Sequence, residues 1–417
     1  MKKKKGRKFM AVPVVLLILA AGMTTFTPQL AAQKVEIVNG VRVVHNQGKG
    51  LWGKNPEVKL QPVLKLGDID SPDEQTAFYM PIAVAVDTAG HIYILDSGNH
   101  RIQKFSPGGK YLASFGRFGQ GPGEFNYPSW LDIDASGNLY VTDPFNDRIQ
   151  VLGPDGKEIK TIKFTEGKIG NAFVLSDGNL IMTDPVAGVR LNLAEHKKPA
   201  SLPKLIRVIN PEGKIIREIG DRLDMKDELL TNTINAVHMT VDSRDNLYLA
   251  FPFQNRIEKY SPEGQLIWRA DRKLPYSLEV QDKGSIERQG GGISIRTPRI
   301  NRSSESIAVD GQGRVWVLTL ARQLKKEEQA SVGISLTMAG GKQQVGYRVQ
   351  GDSELRHTDA YKLEIFDQEG VLLGEIPLEM FVDHIFIYGD KLFLVDKLRG
   401  GTVHVFQITG ESSEVSF

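Results

Sequence analysis

The sequence predicts an all-β protein: a six-bladed β-propeller of four-stranded antiparallel blades, its ring closed by an N-terminal strand. Three observations predict it. The first is a recurring phrase. It reads Val86-Asp87-Thr88-Ala89-Gly90-His91-Ile92-Tyr93-Ile94-Leu95-Asp96, then Asn99-His100-Arg101-Ile102, then Pro107-Gly108-Gly109-Lys110. It returns with Asp134, Asn146-Asp147-Arg148-Ile149 and Pro154-Asp155-Gly156-Lys157, and again with Asp242, Asn255-Arg256-Ile257 and Pro262-Glu263-Gly264. Asp87 and Asp134 lie 47 positions apart, and a period in the forties marks stacked supersecondary units. The second is the content of each unit: four short β-branched and aromatic segments punctuated by Gly, Pro, Asn and Asp. A repeated four-stranded sheet is a propeller blade. The third is size: 417 residues, 41% of them hydrophobic, suffice for a large core.

The elements follow in chain order. Lys2, Lys3, Lys4, Lys5, Arg7 and Lys8 precede the apolar run 9–21, and Leu30-Ala31-Ala32 offers small residues for cleavage. Residues 1–32 therefore read as an export signal, with an uncleaved membrane anchor as the alternative. Their six basic residues, with no acidic ones, turn the formal charge of +2 into −4 for the mature chain. That balance gives no electrostatic case for nucleic acid. With no cysteine there is no disulfide, thiolate nucleophile or cysteine zinc site. The expected location is periplasmic or secreted, with no membrane span after signal cleavage.

Residues 33–60 form an N-terminal extension in which 35–44 pivots on Asn39-Gly40 as a hairpin. The propeller occupies 61–417. Val63-Leu64-Lys65-Leu66-Gly67 matches Leu112-Ala113-Ser114-Phe115-Gly116, the end of a fourth strand. The N-terminal strand is thus expected to complete blade six and remove a free sheet edge. Second strands are placed at 92–95, 139–142, 180–183, 247–250, 315–318 and 392–395.

Asn-x-Arg-Ile, the Asp-x-x-Gly turn and Gly119-Gln120-Gly121-Pro122-Gly123-Glu124-Phe125 with Tyr127-Pro128 resemble NHL repeats. The resemblance covers about 60–417. It implies a six-bladed propeller without fixing a function, because that family includes binding modules and lyases.

The recurring polar residues read as architecture. Asp87, Asp134, Asp242 and Asp310 start turns by bonding their own backbone. Arg101, Arg148 and Arg256 read as repeated structural ion pairs. The loop from Gly119 to Gly123 is no phosphate cradle, since no helix follows it. Information lies instead in four expansions, at 185–204, 221–235, 271–303 and 320–361. All are fourth-to-first or second-to-third connections, which share one face of a propeller. Insertions confined to one face mark a binding face. Lys325 to Lys342 reads as a ligand clamp or as an edge-capping decoration.

First strands line the channel. Counting four residues back from each turn gives Ala83, Trp130, Ala172, His238 and Ser306, with His384 in blade six. Trp130, Asn171, His238, Asp383 and His384 are the candidate ligand-binding residues at the channel mouth. Asn171 and Asp383 occupy the adjacent slot and are expected to point away on an ideal strand. Related lyase propellers are expected to hold a metal through channel histidines, which makes His238 and His384 the candidate metal ligands, for Zn²⁺ or Ca²⁺. Trp130, in the third alternate blade, is not a ligand, and a metal site needs three. No cofactor is otherwise expected, no catalytic residue is assigned, and no Gly-x-Ser-x-Gly or His-Glu-x-x-His signature is present. The expectation is an exported module binding a protein, saccharide or other small molecule on its insert-bearing face. The alternative is a metal-dependent lyase or lactonase-like enzyme at the channel mouth.

Overall fold

Each repeat of the phrase folds into one antiparallel sheet, and six such sheets surround a central channel. The structure is a computed structural model, and it describes residues 33–164, 169–183, 202–289, 292–339, 342–352 and 354–410. The inner strands are Pro81–Val86, Trp130–Ile133, Ala172–Val174, His238–Val241, Ser304–Val309 and His384–Tyr388. Behind them run Ile92–Asp96, Leu139–Asp143, Leu180–Thr183, Leu247–Ala250, Val315–Leu320 and Lys391–Asp396, within two residues of the expected second strands. The N-terminal strand Val58–Leu66 pairs antiparallel with Thr402–Gly410 and is the outer strand of blade six. The export signal expected at 1–32 lies outside the described residues. Among the described residues no helix is long and apolar enough to cross a membrane.

The turn aspartates act as short-range clamps. Asp87 Oδ1 accepts the N–H groups of Ala89 (3.0 Å) and His91 (2.8 Å), and Oδ2 accepts the Tyr93 hydroxyl at 3.1 Å. Asp242 holds Tyr248 at 3.0 Å and Asp310 holds the Trp316 indole N–H at 2.9 Å in the same way. One side chain thus satisfies the turn backbone and the polar tip of a buried aromatic ring six residues on. The turn closes through a left-handed residue, Gly90 (φ 81°) in blade one. Blade four uses Asp245 (φ 60°) there instead.

The arginines are latches. Arg101 Nε donates to Asp96 (2.8 Å) and Arg148 Nε to Asp143 (3.1 Å). Their guanidinium groups also donate to carbonyls of the incoming loop, Ala77 (3.0 Å) and Glu124 (2.7 Å). In blade four Phe251 takes the place of that acid; Arg256 lies over its ring at 3.7 Å and pairs instead with Glu258 at 3.6 Å. Between sheets the core is aromatic and aliphatic, with Tyr93, Tyr248, Trp268 and Trp316 fully buried. Blades four and five share the buried pair Arg272–Glu364 at 2.6 Å.

The hairpin at 33–46 does more than extend the chain. Gln33–Val38 and Val41–Asn46 pair across a left-handed Asn39-Gly40 turn (φ 52° and 81°). Val41–Asn46 then lies parallel to Leu266–Arg272, giving blade four six strands. Buried Asn46 donates to Asp271 O (3.0 Å) and Gly370 O (3.1 Å) and accepts from Leu372 N (2.9 Å). Trp52 N follows with a bond to Leu373 O at 2.7 Å, so the extension runs along the outer edges of blades four and five.

Most of the 185–204 insert lies outside the described residues. In the next, Asp227 caps the helix Glu228–Ile234 by accepting the Leu230 N–H at 2.8 Å. The third folds as two small ladders, Val280–Asp282 with Arg299–Ile300 and Ser285–Gln289 with Gly292–Arg296. The fourth contains the hairpin Ser331–Ala339 with Lys342–Gln350. They are knitted together. Gln254 donates to Ile234 O (2.7 Å), Tyr276 Oη to Leu320 O (2.6 Å), and Gln323 exchanges bonds with the Arg302 backbone (3.0 and 2.7 Å). Arg399 donates to Glu328 O. The inserts therefore form one polar rim over blades four to six.

Candidate functional site

The inner strands enclose a channel of about 1040 Å³, walled at its insert-side mouth by Trp130, Asn171, His238, Ser306, His384 and Lys397. The ring of equivalent positions differs from the sequence count in one blade. Leu175 N donates to Asn179 O (2.8 Å), as Asp134 N does to Asn138 O (3.0 Å). Leu175 therefore takes the turn place, and the residue four back is Asn171. Thr183 N donates to Asn171 O at 3.1 Å, the level at which Trp130 faces Thr142 and His384 faces Val395. The upper tier is thus Ala83, Trp130, Asn171, His238, Ser306 and His384. Ala172 was misplaced because an apolar Leu175 stands where blades one, two, four and five carry aspartate.

Asn171 consequently lines the channel instead of pointing away, while Asp383 is not on its wall. Asp383 Oδ2 accepts the backbone N–H of Lys397 at 2.8 Å. Trp130 packs its ring against Phe173 (5.1 Å between centroids), Phe386 (5.5 Å) and His384 (6.3 Å). Its indole N–H is sealed among these rings with no hydrogen-bond partner. Two residues deeper the tier is Ala85, Asp132, Phe173, Thr240, Ala308 and Phe386.

Some polar groups of the wall are spent on the fold. Ser306 Oγ accepts the Ile385 N–H (3.1 Å), Asn171 Oδ1 accepts from Ser129 Oγ (3.3 Å), and Asp132 Oδ2 accepts the Val174 N–H (2.8 Å). Others have no protein partner among the described residues: both ring nitrogens of His238 and of His384, the Asn171 amide N–H₂ and the Lys397 ammonium. These nitrogens are absent from the sealed, unpartnered atoms of the protein, so they open onto the channel.

Electrostatics keeps the imidazoles neutral. Burial, then the Arg302 and Lys397 cations, push His238 down to about 4. Burial, then Lys397 and His238, push His384 well below the usual histidine range. Burial, with a smaller push from the Asp134 charge, drives the opposite change below them, raising the Asp132 carboxyl to about 7 against the Val174 and Ile133 N–H groups that favour its ionised form. Sequence reasoning missed Asp132 and Lys397. The period-2 alternation from Trp130 could have found the first, and a lysine where blades one and two carry Ser97 and Pro144 the second.

The donor set does not fit a metal. Two imidazoles converge, but Trp130, Asn171 and Ser306 fill the neighbouring places and Lys397 brings a positive charge toward both rings. Ca²⁺ asks for several oxygen ligands and Zn²⁺ for three or four donors. Among the described residues no group of three or more His, Asp or Glu side chains could hold a metal ion.

The blades and channel define a six-bladed β-propeller. Its first blade carries the family signature: the NHL repeat model matches residues 78–105. No curated protein matches the chain significantly. Among solved structures, a member of the DUF4221 family from Bacteroides vulgatus has a TM-score of 0.52 at 12% identity, over 85% of this chain and 99% of that one. A protein of Bacteroides fragilis described as exported has a TM-score of 0.50 at 11% identity, over 88% of this chain and 98% of that one. Virginiamycin B lyase from Staphylococcus aureus has 0.45 at 12% identity, over 84% of this chain and 100% of that one. At such identities the likeness is one of fold.

Proposed function

We propose that the protein is an exported binding module whose ligand seat is the insert-side mouth of the channel, with the insert rim as its collar. One observation carries the reading: His238, His384, Asn171 and Lys397, from three separate blades, turn unpartnered nitrogens into one cavity. Buried polar groups are ordinarily satisfied within the fold, and exceptions mark places where something else supplies the partner. The basic, apolar N-terminus supports export to the periplasm or medium, with N-terminal anchoring in the membrane as the other outcome.

The chain has four tryptophans, and only Trp130 lines the channel. In ¹⁵N-labelled protein, a diverse fragment library should contain compounds that move the Trp130 indole resonance and leave the other three in place. Trp130→Phe assigns that resonance. A library whose hits move only surface resonances would sink the proposal.

A further inference from the structure

We infer that the ligand taken at this mouth is a small monocarboxylate with a flat apolar body. The inference rests on the reading of the mouth as a ligand seat and names what fits it.

The upper tier offers donors and one full charge. Lys397 has no acid within ion-pair distance among the described residues. Two carboxylates lie behind the wall: Glu305 gives one oxygen to Arg302 at 2.9 Å, its other oxygen is sealed without a partner, and Asp383 accepts the backbone N–H of Lys397 at 2.8 Å. Neither belongs to the channel wall. The two neutral imidazoles each supply one N–H, and the Asn171 amide supplies two more. A cationic ligand would meet Lys397 with no carboxylate in its tier. A neutral ligand would leave the ammonium desolvated and unpaired, which is costly. A phosphate dianion would bring twice the charge that one lysine answers. A carboxylate brings one negative charge and acceptor oxygens enough for Lys397, an imidazole N–H and the Asn171 amide.

The rest of the ligand meets rings. Trp130, level with the donors, is tilted 53° to Phe173 and 41° to Phe386 one tier down, and the three rings form an aromatic wall beside and below the donors, with Asp132 and Thr240 on the same lower tier. Such a wall accepts a planar apolar group in offset or edge contact. The polar tier over the aromatic tier therefore has the polarity of an aromatic acid, carboxylate toward the rim and ring toward the channel.

Three isosteric probes separate the alternatives: benzoate, benzamide and benzylamine, titrated into the mature protein by calorimetry with the Trp130 indole resonance as the position readout. Benzoate is expected to bind in the channel more tightly than benzamide, and benzylamine not at all. Lys397→Met should weaken benzoate about tenfold, the scale of a charge-assisted hydrogen bond, and leave benzamide unchanged. Lys397→Arg should restore much of the loss. If Lys397→Met melts early, Lys397→Gln serves in its place. Benzamide binding as tightly as benzoate, or benzoate indifferent to the lysine, overturns the carboxylate assignment while leaving the seat intact. If no probe moves the Trp130 resonance, the assignment falls as well, and the fragment screen decides separately whether the mouth is a seat.

Discussion

The two ends of the same inner strands are built to opposite rules. At the turn end, Asp310 accepts the N–H groups of Gln312 (3.0 Å) and Arg314 (2.9 Å), the Arg314 guanidinium (2.6 Å) and the Trp316 indole (2.9 Å). Every recurring acid there has its lone pairs filled by its own blade. At the mouth end, four residues away along the strand, the side chains of His238 and His384 make no hydrogen bond among the described residues. The repeat explains the first end completely and the second not at all. Residues that recur hold the blade, whereas among those that differ from blade to blade Ser306 and part of Asn171 serve the fold and the two imidazoles are left open.

The sharpest way to break that comparison is to remove one group from each end. Asp310→Ala strands a turn backbone, an indole N–H and a guanidinium, and is expected to cost about 3 kcal/mol in urea denaturation. His384→Ala strands no hydrogen-bond partner and gives up only ring contacts with Trp130 and Phe386 beside the channel, and is expected to cost about 1 kcal/mol or less. Similar losses at both ends would erase the distinction.

The next effect is on pH dependence. His238 and His384 bind protons less readily folded than unfolded, so their contribution is present above their unfolded range and is lost as pH falls from about 6.5 toward about 4. Asp132 binds its proton more readily folded, so its contribution is full below its unfolded value and is lost as pH rises toward about 7. Within that window the carboxyl offsets part of the histidine loss. The channel's contribution to the melting temperature at pH 7.5 minus that at pH 5 should therefore be larger in Asp132→Asn than in the wild type, and should reverse in sign in His238→Asn with His384→Asn, where only the carboxyl term remains. Unchanged differences in both variants would show that the channel groups titrate as they do in the unfolded chain.

The smallest effect is expected where exposed charges pair on the surface. Lys34 and Glu36 touch at 2.7 Å on the outermost strand, and Lys34→Ala should leave the urea midpoint unchanged within error. A larger loss would mean that the hairpin depends on that pair and not on Asn46.

Much of the ring was legible in the sequence because its clamps are local. Asp-x-x-Gly turns and Asn-x-Arg-Ile latches act within six residues, so spacing alone reports them. Blade three lost its register at Leu175, an apolar residue in the turn place whose clamp has moved to Asp177, which accepts from Asn179 at 2.9 and 2.7 Å, and Asn171 was assigned the wrong direction with it. The parallel seating of Val41–Asn46 on blade four left no local trace, since Asn46 finds its partners more than 200 positions away. Trp130, His238 and His384 were found by counting. Lys397 was not, because it sits on a loop beyond a second strand and reaches the wall only once blade six is packed.

The outer strand of blade six has a consequence for how the chain is made. Val58–Leu66 is synthesised early, yet its partner is Thr402–Gly410, with Val58 opposite Gly410. Closing a loop of that length carries about 3 kcal/mol more entropic cost than closing a ten-residue hairpin. Five blades can zip from local contacts while this strand waits with one edge unpaired. The last pairing is the slow, cooperative one, and until it forms the growing chain carries its own sticky end.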